Sequence, residues 1–79
     1  MLKFSRSNIW DFCQEAKYLI SKAKKNTVVL PEIYELVSIV NFSPMGFSVE
    51  YANSLINAIP KAYREDYERY GLHFEVEAA

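Results

Sequence analysis

Apolar and polar positions alternate at two different periods along this chain. Leu2 and Phe4 are separated by Lys3 and Ser5, the two-residue period of a short strand. From residue 9 the period lengthens. Ile9, Phe12, Cys13, Ala16, Leu19, Ile20 and Ala23 fall on one stripe of a helix predicted over 8–25, with Ser7 or Asn8 as its cap. Asp11 and Glu15 come early in this helix, and Lys22, Lys24 and Lys25 come late, the order that suits the helix dipole.

Thr27 to Leu30 is β-prone but short, and Pro31 follows at once. Proline holds the residue before it extended and fits the first turn of a helix. Ile33, Leu36, Val37 and Val40 then mark a second helix over 31–41. Asn41 to Phe47 reads as a turn punctuated by Pro44 and Gly46. Ser48 caps a third helix whose apolar face is Val49, Ala52, Leu55, Ile56 and Ile59. Pro60 either kinks that helix or opens a fourth, which runs from Lys61 to Tyr70 and stops at Gly71. Leu72, Phe74 and Val76 alternate with His73, Glu75 and Glu77 as a closing strand.

The expected fold is mainly α, with α+β character only at the margin. Three or four helices surround one core, and short N- and C-terminal strands are available to pair with each other. Its 79 residues suffice for one domain, 1–79. Half the residues are apolar and only two are glycine, which argues against disorder and against long loops.

Charge adds a segregation that the total conceals. Nine bases and ten acids leave −1 overall. Residues 1–25 hold six bases and two acids, a net +4, whereas residues 26–79 hold three bases and eight acids, a net −5. Lys17, Lys22, Lys24 and Lys25 form the basic patch. They are read first as a solubilising helix end and second as a phosphate-binding face that a dimer would double. Met1 to Phe4 are not followed by the apolar run of a signal peptide, and no run approaches the roughly 20 residues of a membrane span. A cytoplasmic location is therefore expected.

Catalytic groupings are missing from the pattern. The single Cys13 lies on an apolar stripe, where cysteine packs as a small core residue. The single His73 falls on the polar face of the last strand. One of each supplies neither a zinc site nor a nucleophile pair, so no metal, cofactor or small-molecule substrate is expected. Glu65 with Asp66 and Glu32 with Glu35 are read as solvated helix faces. A helix-turn-helix reading of 31–59 fails on two counts. Its connection exceeds the usual 3–4 residues, and Val49 to Ile59 holds no Lys or Arg to meet phosphate, although Asn53 and Asn57 are of a type that reads bases.

Aromatic content is the remaining signal: six Tyr, five Phe and one Trp. Tyr63, Tyr67 and Tyr70 share one face of the last helix, which is almost without aliphatics after Ala62. Such a stripe serves either as the edge of the core or as a contact surface for another protein. Tyr51 sits beside its helix's apolar stripe, as does Trp10, and Phe42, Met45 and Phe47 crowd one turn. These eight residues are the candidate partner-binding set. The preferred function is a small non-catalytic module that binds another protein or itself, as a homodimer. It would act as an inhibitor or regulator of a larger complex, a role often given to short phage- or plasmid-encoded chains. The second reading is a DNA- or RNA-binding regulator that uses the basic end of the first helix; nucleic acid is the less favoured partner.

Overall fold

The computed structural model describes residues 1–23, 27–43 and 46–74. Four helices follow in order: α1 Arg6–Lys22, α2 Pro31–Phe42, α3 Val49–Asn57 and α4 Lys61–Glu68. The fold is mainly helical, as the three-to-four-helix reading expects.

Local chemistry sets the helix boundaries. Ser5, rather than Ser7 or Asn8, caps α1, its hydroxyl accepting from the Asn8 N–H at 3.2 Å, so the helix starts two residues before the predicted position. Residues 24–25, the predicted end of that helix, lie outside the described residues. Pro31 opens α2 with Leu30 extended before it. Ser48 caps α3, accepting from the Tyr51 N–H at 3.1 Å. Pro60 opens α4 and does not kink α3. The final turn closes on Gly71 at φ +94°, a conformation that costs glycine little, while the Leu72 N–H returns to the Tyr67 carbonyl at 3.2 Å.

Helices α1 and α2 run antiparallel. Cys13 touches the Leu36 carbonyl, and Arg6 at the start of α1 reaches Phe47 beyond the end of α2. One apolar cluster runs through all four helices and both terminal segments. The chain's radius of gyration, 11.7 Å, matches the compact value of about 11.6 Å for this length.

The expected terminal strands are absent among the described residues; 75–77 lie outside them. The N-terminal segment finds its partners on a helix. The Leu2 N–H donates to Asn57 Oδ1 and the Leu2 carbonyl accepts from Asn57 Nδ2, both at 2.8 Å. Phe4 makes the same pair of bonds with Asn53, at 2.6 and 2.9 Å. Two residues of extended chain advance about 6.6 Å, and four residues of helix about 6 Å, so the spacings agree. Each amide's second hydrogen goes to the carbonyl four residues back, at 2.9 Å for Asn53 and 2.8 Å for Asn57. Asn53 and Asn57 thus hold the fold together, which removes them as base-reading groups.

Residues 72–74 lie against α1. Glu15 takes the His73 N–H at 3.0 Å and meets His73 Nδ1 at 2.7 Å. Phe12 carries Phe4 on one side and Phe74 on the other, both edge-to-face at 5.5 and 5.3 Å. Arg64 donates to the Ile59 and Asn57 carbonyls at the end of α3 and sits 5.9 Å from the Phe74 ring.

Replacing Asn53 or Asn57 by Ala should each lower unfolding free energy by about 1–2 kcal/mol in chemical denaturation, although alanine is the better helix former. Asp at either position keeps the acceptor, loses the donor, and should not restore stability. Amide exchange at Leu2 and Phe4 should accelerate in both alanine variants.

Candidate binding surface

The tyrosines of α4 are placed by what the 27–30 connection needs. That connection is not a strand, so its backbone groups require side-chain partners. Tyr67 supplies them. Its ring is 0% exposed. Its hydroxyl donates to the Val28 carbonyl at 2.6 Å and accepts from the Leu30 N–H at 3.1 Å. Burial pushes the Tyr67 phenol above its usual value. The Tyr70 hydroxyl meets Thr27 Oγ1 at 3.0 Å, and the half-buried Tyr63 ring lies 6.1 Å from that of Tyr67. Tyr67 is therefore a core residue of the single chain and not a contact surface. The reason is physical: α4 has eight residues and no aliphatic after Ala62, so only a large ring carries it down to the core.

Phe47 also leaves the candidate set. It is buried, the Arg6 guanidinium lies 4.7 Å over its ring, and Arg6 Nη1 donates to its carbonyl at 2.7 Å. Met45, Lys24 and Lys25 lie outside the described residues. Of the basic patch, Lys22 is exposed, its ammonium 5.8 Å from the Tyr18 ring, while Lys17 is half-buried. Five residues turn a helix through about 140°, so Lys17 and Lys22 do not share a face.

Phe42, Tyr51 and Trp10 remain on the surface. Trp10 and Tyr51 are each 45% exposed, and Phe42 is 86% exposed at the last position of α2. The stripe Ile33, Leu36 and Val40 faces the core and leaves Phe42 on the opposite side of the helix. Phe42 forms one wall of an open hollow of about 330 Å³ between the end of α2 and the start of α3. Ile39, Phe47 and Tyr51 line it further, with Ser38, Ser43 and Ser48 at its edges. Tyr51 spans the two helices: its hydroxyl donates to Glu35 Oε1 at 2.5 Å, and that bond pushes its phenol above the usual value.

Among the described residues no three His, Cys, Asp or Glu side chains gather as a metal site. Cys13 is fully buried, its thiol donating to the Leu36 carbonyl at 3.6 Å, and burial pushes it up to about 12. The Glu15–His73 pairing had no signal in the sequence, because it joins residues far apart whose segments show no shared pattern. Among the described residues no helix is long and apolar enough to cross a membrane.

Tyr67→Phe keeps the ring and orphans Leu30 N–H and Val28 C=O, and should cost about 1–3 kcal/mol. Phe42→Ser should change stability by no more than about 0.5 kcal/mol. Thermal or urea melts of the two variants check this contrast. Stability should also fall as pH rises from about 8.5, the usual thiol value, toward 12. The folded chain holds the Cys13 proton that the unfolded chain releases. Urea titrations at stepped pH should show that fall, and Cys13→Ala should lessen it, most clearly below the usual phenol range of about 10, above which the raised Tyr67 and Tyr51 phenols also contribute.

No family model matches the chain, and no curated protein or solved structure shows significant similarity to it.

Proposed function

We propose that this chain is a non-catalytic protein-binding module that regulates a larger partner by docking it at the α2–α3 hollow. Phe42 carries the reading. A phenyl ring 86% exposed contributes nothing to its own core, and it stands at the rim of an apolar hollow. Burying such a ring against a partner yields about 2 kcal/mol, or roughly thirtyfold in affinity. Tyr51 offers a rigid ring with a polar tip beside it, the residue type enriched where binding energy concentrates. This replaces the α4 tyrosine face by a surface between α2 and α3.

The nucleic-acid alternative loses weight here. Lys17 and Lys22, the described members of the basic patch, lie about 140° apart around α1 and do not make one phosphate-binding face.

Affinity capture of the full chain from its native cell, with mass-spectrometric identification, tests the proposal. Wild type and Tyr18→Ser, an exposed ring on α1, should retain the same partner. Phe42→Ser should lose it while melting at the same temperature. Equal recovery by all three would remove the hollow as the docking surface.

A further inference from the structure

The cleft between α1 and α3 is filled by residues 2–4 of the chain itself, and they are held as a bound peptide is held. Asn57 takes both the N–H and the carbonyl of Leu2, and Asn53 both those of Phe4, all at 2.6–2.9 Å. The Phe4 ring is buried edge-to-face on Phe12 and Leu2 is half-buried, while Met1, Lys3 and Ser5 are exposed. Recognition thus uses the backbone groups and apolar side chains of two alternate residues and leaves the residue between them unread. Passing from Asn57 to Asn53, the segment runs antiparallel to α3.

The cleft does not depend on this occupant to orient its polar groups. Asn53 Nδ2 also donates to the Val49 carbonyl, and Asn57 Nδ2 to the Asn53 carbonyl, so both carboxamides stay aimed when the segment leaves. Its four bonds go to side chains alone, so it separates without opening any helix. A second copy is a poor source of the replacement. Ser5 alone separates Phe4 from Arg6, where α1 begins. Exchanged arms would bring two α1 starts together, with dipole ends of the same sign and two Arg6 side chains. A segment of a different protein carries no such encumbrance.

We propose that the α1–α3 cleft binds an extended segment of another protein, with large apolar residues at two alternate positions and a free N–H on each, and that residues 2–4 occupy it as a built-in competitor. The tether holds that competitor at an effective concentration on the order of millimolar, so an incoming segment binds only the fraction of chains whose arm has left. The cleft shares no residue with the α2–α3 hollow and does not rest on the docking reading above.

The probe is the end-blocked, fluorescent peptide Met-Leu-Lys-Phe, followed by anisotropy with the full chain and with its Phe4→Ala variant, whose own arm has lost its buried ring. The variant should bind about thirtyfold more tightly than wild type, and saturating peptide should raise its melting temperature. Two control peptides distinguish the cleft from apolar adsorption. One carries N-methyl groups on its Leu and Phe amides, which keeps both side chains and removes both donors; the other has Ser in place of Phe. Neither should bind. If Phe4→Ala is unfolded by itself, the parent peptide should restore its helical circular dichroism. Equal binding to wild type and variant, binding of the N-methyl peptide as tight as that of its parent, or neither binding nor restored helix overturns the proposal. A wild-type dimer in sedimentation that Phe4→Ala dissociates also overturns it, by placing a second copy's arm in the cleft.

Discussion

Leu2 and Phe4 exchange four hydrogen bonds with the side chains of Asn53 and Asn57, and the placement of the first five residues follows from those bonds. A carboxamide presents a donor and an acceptor side by side, as a neighbouring peptide group does. Two of them one helical turn apart match two alternate residues of extended chain. The match sets Phe4 against Phe12, and Phe12 in turn receives Phe74. Without it, that side of α1 and α3 would face water.

The same substitution of side chain for strand recurs at the 27–30 connection, where Tyr67 bonds Val28 and Leu30, and at 72–74, where Glu15 holds His73. Helices of nine and eight residues are too short to persist alone. They are ordered by what they reach, and in α4 that reach is a phenolic ring. The six tyrosines therefore do not share one role. Tyr67 closes the interior, Tyr63 and Tyr70 edge it, and Tyr18, Tyr34 and Tyr51 face solvent.

Helix content was legible because the stripes at Ile9–Ala23, Ile33–Val40 and Val49–Ile59 have the 3.6-residue period that burial on one side demands. Pro31, Ser48 and Pro60 marked helix starts for stated steric or capping reasons, and each does so in the fold, whereas α4 ends at Glu68, short of the expected Tyr70, and Gly71 closes the turn that follows it. The terminal segments misled. Alternation at Leu2–Phe4 and Leu72–Phe74 correctly marked which side chains turn to the core, Leu2 only in part, but alternation reports a buried side of extended chain and not the identity of its hydrogen-bond partner. For the same reason Asn53 and Asn57 resembled outward-facing polar positions. The surface was half legible. Phe42, Tyr51 and Trp10 were singled out and are exposed, but Tyr67 and Phe47 were singled out with them and are not. Spacing on a helix tells which residues share a side, and only the packing of its neighbours tells whether that side is covered.

The carboxamide bonds join residues 49 and 55 positions apart, and Phe12 must wait for Phe74. On a ribosome, Leu2 and Phe4 emerge well before α3, and their docking site is not made until α3 has followed. The segment holding Leu2 and Phe4 thus waits unsecured while α1 and α2 are made, with its phenyl ring available to chaperones. It is among the last pieces to be locked in place.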